Sequence, residues 1–377
     1  MAKRNNRGRK LNNFTIYQLC ARAAGRCQFE GCNKLLFTDE LTNETFNNSN
    51  IAHIVASSPN GPRGDSERSE LLSDKLENLM LLCLDHHKLI DRYPDKYTED
   101  ILIAMKKKHE KLIADHCDLI YKTATEIVRF SSLIKGRVPV DISLNKAKDA
   151  VIPGKRPASR DGQYINLPSS SYPYKSKQYW EDMVRKLESF FNLSINNQIA
   201  ISKDNHFSIF PIAPIPLIMK LGYLLGDKIP ADIYQKTRNP DSWKWQSDQL
   251  TNHFMEDKHI IRQGNRVALV LSLTADVTCE RVLNAYDADS IFFIRAEHMG
   301  VDCIQSIQDL SEFWHLYQQV CEEIRDQYVE ADDICVFPAV PVSAAFEVGR
   351  RFMPGIYKKM RIFDDDEGFF ETLTIGG

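Results

Sequence analysis

The chain has 377 residues, 43% of them hydrophobic and 26% charged, with a net charge of −3. That length and composition suit two or three globular domains, each able to bury a core. They exclude a uniformly basic nucleic-acid coat, and no apolar run approaches the roughly 18 residues of a membrane helix. The charge is uneven: residues 1–125 carry 19 Lys and Arg against 17 Asp and Glu, and the remainder carries 29 against 34. Five of the cations fall in residues 1–10, with no apolar core behind them, so this start is not a secretory signal. Such an arm either attracts phosphate by counterion release or is a solvated start. Nine cysteines, an odd number, suit a reducing cytoplasm better than a disulfide framework.

In chain order, residues 15–24 predict a helix, because Ile16, Leu19, Cys20 and Ala23 recur at helical spacing and Gly25 can close it. Residues 34–37 and 50–56 predict strands, the second rich in β-branched side chains. A Pro/Gly/Ser loop spans 57–65. The apolar run 79–82 predicts another strand, 83–92 a helix, and 97–134 a mostly helical stretch. Prolines and glycines break residues 135–174, which predicts a linker.

The first segment holds a metal-ligand pattern. Cys27 and Cys32 form one pair; Cys83 and His86 form another. Two pairs of soft or borderline donors close a tetrahedral zinc site. His87, His53 and Asn78 remain beside it, a polar set that implies metal-assisted phosphodiester chemistry.

Residues 175–377 read as strands alternating with helices, hence parallel sheet covered by helices. The segments 209–216 and 336–343 align at an offset of 127, and Gly222 and Gly349 keep that offset. Each copy reads as buried strand, Pro-bounded turn and helix, followed by a strand near Ile233 or Ile362. Residues 267–274 and 290–294 add buried strands. The reading is two Rossmann-like halves, about 175–265 and 266–377. Trp243, Lys236, Arg238 and Lys244 offer ring stacking and phosphate contacts. The turn with Pro338, Ala339 and Ser343 opens a helix whose amides can cradle phosphate. The run Asp364 to Glu367 reads as a solvated acidic turn.

The set His53, Asn78, His87, with Arg63 in the connecting loop, resembles the HNH, or ββα-metal, nuclease family. That resemblance implies a zinc-stapled α+β domain over 1–134. It makes His53 the general base and gives Asn78 the task of orienting His53 or the phosphate. His87 becomes a ligand to magnesium or another divalent ion, and Arg63 a phosphate clamp. Many family members carry an acidic ligand just before the first His; here that position is Ala52. Asp91, one helical turn after His87, is the substitute candidate.

Residues 175–377 resemble the SAVED domain, a fusion of two CARF-like halves that binds cyclic oligonucleotides. The two resemblances together are similar to the effector nucleases of cyclic-oligonucleotide-based antiphage signalling (CBASS). They imply a cytoplasmic enzyme with no membrane attachment. A cyclic dinucleotide from a partner cyclase would bind, drive homo-oligomer assembly and release cleavage of double-stranded DNA. Two other readings stay open: a restriction-type HNH nuclease whose C-terminal half reads DNA, and a non-catalytic zinc regulator. The excess of acid beyond residue 125 disfavours direct duplex reading by that half.

Overall fold

The computed structural model describes residues 11–136, 141–201 and 206–376. The expected basic arm, residues 1–10, lies outside the described residues. The chain divides into two compact units between Tyr121 and Lys122.

The first unit opens with helix α1, Asn13–Arg22, whose N-cap Asn12 accepts the Phe14 amide at 3.0 Å. Strands β1, Ser49–His53, and β2, Leu79–Cys83, pair antiparallel, with Ser49 opposite Cys83 and His53 opposite Leu79. A short helix α2, Arg68–Leu72, lies in the loop between them. Helix α3, Leu84–Arg92, follows β2 directly, and α4, Glu99–Asp118, closes the unit. Every residue of β2 is buried. It forms a core with Leu19, Leu36, Ile54, Ile90 and Leu102, to which Cys27 and Cys83 also belong. The strand expected at 34–37 is reduced to isolated bridges, Arg26 to Leu35 and Thr38 to Thr45.

The helix expected to run to 134 ends at Asp118. The next segment, β3, Ala124–Ser131, is a strand of the second unit. The run Thr123, Thr125, Ile127, Val128 explains this, since β-branched side chains are stiff in a helix and pack well on a sheet. The expected linker 135–174 is also corrected. It contributes α5, Leu144–Val151, β4, Arg156–Pro157, and β5, Gln163–Asn166. Both strands pair with β3.

The second unit continues with α6, Lys177–Phe191, and α7, Asn197–Ile201. Then come β6, Phe207–Ile212, α8, Ile215–Leu225, and β7, Ala231–Ile233. These complete a parallel sheet of order β4-β3-β6-β7, with β5 also on β3. The second sheet begins at β8, Phe254–Ile260, so the halves divide before 254 rather than at 265. Its other members are β9, Val267–Ser272, β10, Ser290–Ala296, β11, Asp333–Ala339, β12, Lys359–Asp365, and β13, Phe369–Ile375. The order is β13-β12-β11-β9-β10-β8, parallel inside with antiparallel edge strands β13 and β8. Helices α9, Cys279–Ala285, α10, Ile307–Gln327, and α11, Val342–Arg350, connect them.

The repeated helices α8 and α11 pack on each other, and the repeated glycines are their contact point. A Cβ on Gly222 would stand 2.2 Å from the Phe346 carbonyl oxygen. One on Gly349 would stand 1.8 Å from that of Met219. Only glycine permits this approach, which is why the two positions keep the same offset from the strands before them.

Candidate functional site

In the first unit the four expected zinc ligands converge. The donor atoms of Cys27, Cys32, Cys83 and His86 all lie within 4.8 Å of one another. The His86 Nδ1 is 3.2 Å from the Cys83 sulfur and 3.7 Å from that of Cys27. A tetrahedron with metal–sulfur bonds of about 2.3 Å and metal–nitrogen bonds of about 2.0 Å has edges near 3.5 Å. Cys83 is the residue before α3 and His86 lies in its first turn, so helical geometry sets that pair. Cys27 and Cys32 flank a tight turn in which the Cys32 amide reaches the Phe29 carbonyl and Gly31 takes φ +83°. The Phe29 ring stacks on the His86 ring at 4.0 Å and fixes its plane. Burial pushes the Cys27 thiol up to about 12, so this sulfur stays protonated unless a cation offsets its charge. Soft donors, spacing and burial fit a tetrahedral zinc.

His53 ends β1, and its Nε2 lies 3.0 Å from the Ser73 carbonyl oxygen. A carbonyl can only accept, so Nε2 carries a proton, and in the neutral ring the lone pair falls on Nδ1. His87 and Asp91 share one face of α3, with Nε2 to Oδ2 at 3.4 Å. Among the described residues no third His, Cys, Asp or Glu joins them at ligand spacing.

Two expected roles change. Asn78 is buried, and its amide is used on backbone: Oδ1 accepts the Val55 amide at 2.8 Å, and Nδ2 donates to the carbonyls of Val55 and Leu72. None of these side-chain bonds goes to His53; they tie the loop after β1 to the start of β2. Arg63 is likewise no phosphate clamp. It has φ +55°, and its side chain is 7% exposed. Its guanidinium donates to the carbonyls of Ile54 and Ile90 at 2.7 Å, to the His53 carbonyl at 3.4 Å and to Asp91 at 3.2 Å. This strut fastens the end of β1 to the face of α3 that bears Asp91.

In the second unit a cavity of about 560 Å³ opens where the two repeats meet. Its apolar walls are residues 211–215, where β6 turns into α8, and 340–342, where β11 turns into α11. Both lie at carboxyl ends of parallel strands and amino ends of helices, the usual ligand position in open α/β sheets. Lys236 and Arg238 are among its lining residues. Lys236 pairs with Asp241, while Arg238 is exposed.

The other expected contacts lie elsewhere. Trp243 is 2% exposed and packs edge-on against Phe210 at 5.2 Å, a core residue with no free ring face. Pro338 is buried within β11, and the Ala339 carbonyl already accepts the amides of Leu273 and Thr274. Ser343 is fully buried and donates to Gln235 Oε1 at 2.6 Å. Lys244 is exposed and outside the lining. The lining residues missed include Gln235, Tyr174, Asp364 and Lys135, with the first-repeat wall. Copying the second turn onto the first through the offset of 127 would have found that wall. Asp364 is not in a solvated turn: it sits in β12, accepts the Tyr174 hydroxyl, and burial raises its pKa.

Residues 191–375, within this unit, match the family model of the SAVED domain, the SMODS-associated and fused to various effectors sensor domain. The match begins at the end of α6, so β3, β4 and β5 precede it. Among solved structures the chain is similar to the Acinetobacter baumannii Cap4 SAVED/CARF-domain containing receptor with the cyclic trinucleotide 2'3'3'-cAAA. Identity is 13%, with 82% of this chain and 66% of that one covered, at a TM-score of 0.47. The same receptor with 3'3'3'-cAAA gives 15% identity, coverage of 83% and 67%, and a TM-score of 0.45. The Cap4 receptor of Moraxella osloensis gives 10% identity, coverage of 76% and 60%, and 0.42. The chain thus spans about two thirds of the length of the Acinetobacter receptor. No curated protein matches it. No helix among the described residues is long and apolar enough to cross a membrane.

Proposed function

We propose that the chain is a DNA endonuclease effector of antiphage defence, silent until a cyclic oligonucleotide binds its second unit. The observation that carries the reading is the coexistence of two sites. One is His53, with Nδ1 unengaged, in the unit that also holds a four-donor Cys/His cluster. The other is a cavity between two repeats in a unit that matches a sensor family.

In this reading Cys27, Cys32, Cys83 and His86 hold a structural zinc. His87 and Asp91 are the candidates to hold a magnesium or other divalent ion, which neutralises charge at the scissile phosphate when bound. The chain's own residues do the rest. His53 takes a proton from water at Nδ1, and the Ser73 carbonyl fixes its tautomer and ring plane. Asn78 and Arg63 hold the strand end and the helix on which His53 and Asp91 stand. In the second unit the turns 211–215 and 340–342 offer two equivalent apolar seats, one per nucleotide of a cyclic dinucleotide. Lys236 and Arg238 supply charge for phosphate. Binding shifts the off/on equilibrium only by differential affinity, about 5.5 kcal/mol for a nearly complete switch.

The test is cleavage of plasmid by the purified chain, with magnesium, against a panel of cyclic di- and trinucleotides. Cleavage should start only with a matching nucleotide. Cleavage without any nucleotide would favour the restriction-type reading instead.

A further inference from the structure

The cavity of the second unit repeats in its backbone and differs in its chemistry. Ala213, Pro214 and Ile215 in one wall correspond to Val340, Pro341 and Val342 in the other. The strand after each helix also reaches the cavity. Two residues beyond the buried Ile233 stands Gln235, and two residues beyond the buried Ile362 stands Asp364. Both line the space, but they offer different things.

The Gln235 amide is spent within the fold. Its Oε1 accepts from Ser343 and its Nε2 donates to the Ile304 carbonyl at 3.2 Å. Asp364 presents a carboxylate, which has capacity for about four acceptor contacts. Tyr174 donates to Oδ2, leaving capacity on both oxygens. Lys135, which also lines the cavity, is engaged with Asp366 at 3.5 Å. The apolar walls make a carboxylate here costly unless donors meet it, and burial raises its pKa accordingly. Lys236, itself paired with Asp241, and the exposed Arg238 follow Gln235 in the other repeat. One half of the cavity is therefore built for phosphate charge and the other for a group that donates.

We propose that Asp364 reads a base edge in this cavity and selects guanine, so that the ligand carries guanine in the half bounded by β12. This rests on the reading of the second unit as a cyclic-oligonucleotide sensor. Guanine alone among the common bases presents two adjacent donors, N1–H and the N2 amino group, along its pairing edge. They match the two oxygens of one carboxylate. Adenine and cytosine set one donor beside an acceptor, and uracil flanks its single donor with two carbonyls. Each of those would place a lone pair against the carboxylate and leave a buried acceptor unmet.

Isothermal titration of the full chain tests this with cyclic di-GMP, cyclic GMP–AMP, cyclic di-AMP, and the cyclic inosine analogue that lacks the N2 amino group. The wild type should bind a guanine-containing ligand about 10–100-fold more tightly than its inosine or adenine counterpart. Asp364→Asn should erase that ratio while still binding the adenine ligand. If the wild type binds none of these, nor any cyclic trinucleotide titrated in the same way, the sensor reading itself falls. If it binds but ranks adenine or inosine equal to guanine, the assignment of Asp364 is wrong and the sensor reading stands. The same conclusion follows if a folded Asp364→Asn variant keeps the guanine preference or loses all ligands equally. The wild-type ranking decides the matter even where the variant fails to fold.

Discussion

In the first unit Cys27 and Cys83 belong both to the apolar core and to the four-donor cluster, so the wall of the core is also the wall of the candidate metal site. Among the described residues of the second unit, the large core of Phe, Ile, Leu and Val stands without such a group, and the candidate ligand cavity is lined by turns at its edge. The difference separates folding from function in opposite ways. Removing a site residue from the first unit's cluster should remove the fold, whereas the second unit's cavity can lose a lining side chain and keep its sheets.

The largest expected effect breaks the first half of that comparison. Apparent binding free energies for structural zinc run to about 10–16 kcal/mol, more than a small domain's whole stability. Cys83→Ser should unfold the first unit and leave the melting of the second unit in place. Purified wild type should carry one zinc per chain by elemental analysis. Less than half an equivalent with the first unit folded would remove the zinc assignment.

Next comes Trp243. Fully buried beside Phe210, it should act as a core residue, and truncating such a side chain costs about 3–5 kcal/mol. Trp243→Ala should lower the denaturation midpoint of the second unit, and Trp243→Phe should retain ligand binding. Loss of binding in a fully stable Trp243→Phe variant would return the indole to the ligand site.

His53 sharpens the contrast from the other side, because it is the site residue of the first unit that the core does not need. His53→Ala should keep zinc and fold while slowing DNA cleavage about 10²–10⁴-fold, as expected for loss of a general base. Excess magnesium or manganese should not restore it. His87→Ala should also be slow, but partly restored by excess metal, since its loss weakens an ion's affinity rather than removing the proton acceptor. Equal rescue of both variants would contradict the division of roles.

What the sequence disclosed follows from how many ways each chemistry can be built. Cysteine pairs with a Cys-x-x-His have few bland readings, and the offset of four between His87 and Asp91 is fixed by the helix itself. Arg63 misled because Gly61 to Gly64 has the composition of an exposed phosphate loop. In the fold, a Cβ on Gly64 would lie 2.4 Å from the Pro59 carbonyl oxygen, and this packed loop turns Arg63 inward. Asn78 misled for a related reason: an amide satisfied by backbone looks, in sequence, like an amide free for substrate. β3 was hidden by a long helical pattern running into it, and the segment 135–174 by prolines and glycines that border short strands. The cavity was hardest to see because ordinary Pro, Ala, Val and Ile residues line it, brought together only by the crossing at Gly222 and Gly349.

The central claim is that binding in the second unit releases cleavage by the first, through assembly. Light scattering and plasmid cleavage measured on the same sample, titrated with the tightest-binding cyclic oligonucleotide, test it directly. A rise in mass should track the onset of cleavage, with neither seen before nucleotide is added. Equal cleavage with no nucleotide present, at a mass that never changes, would contradict it.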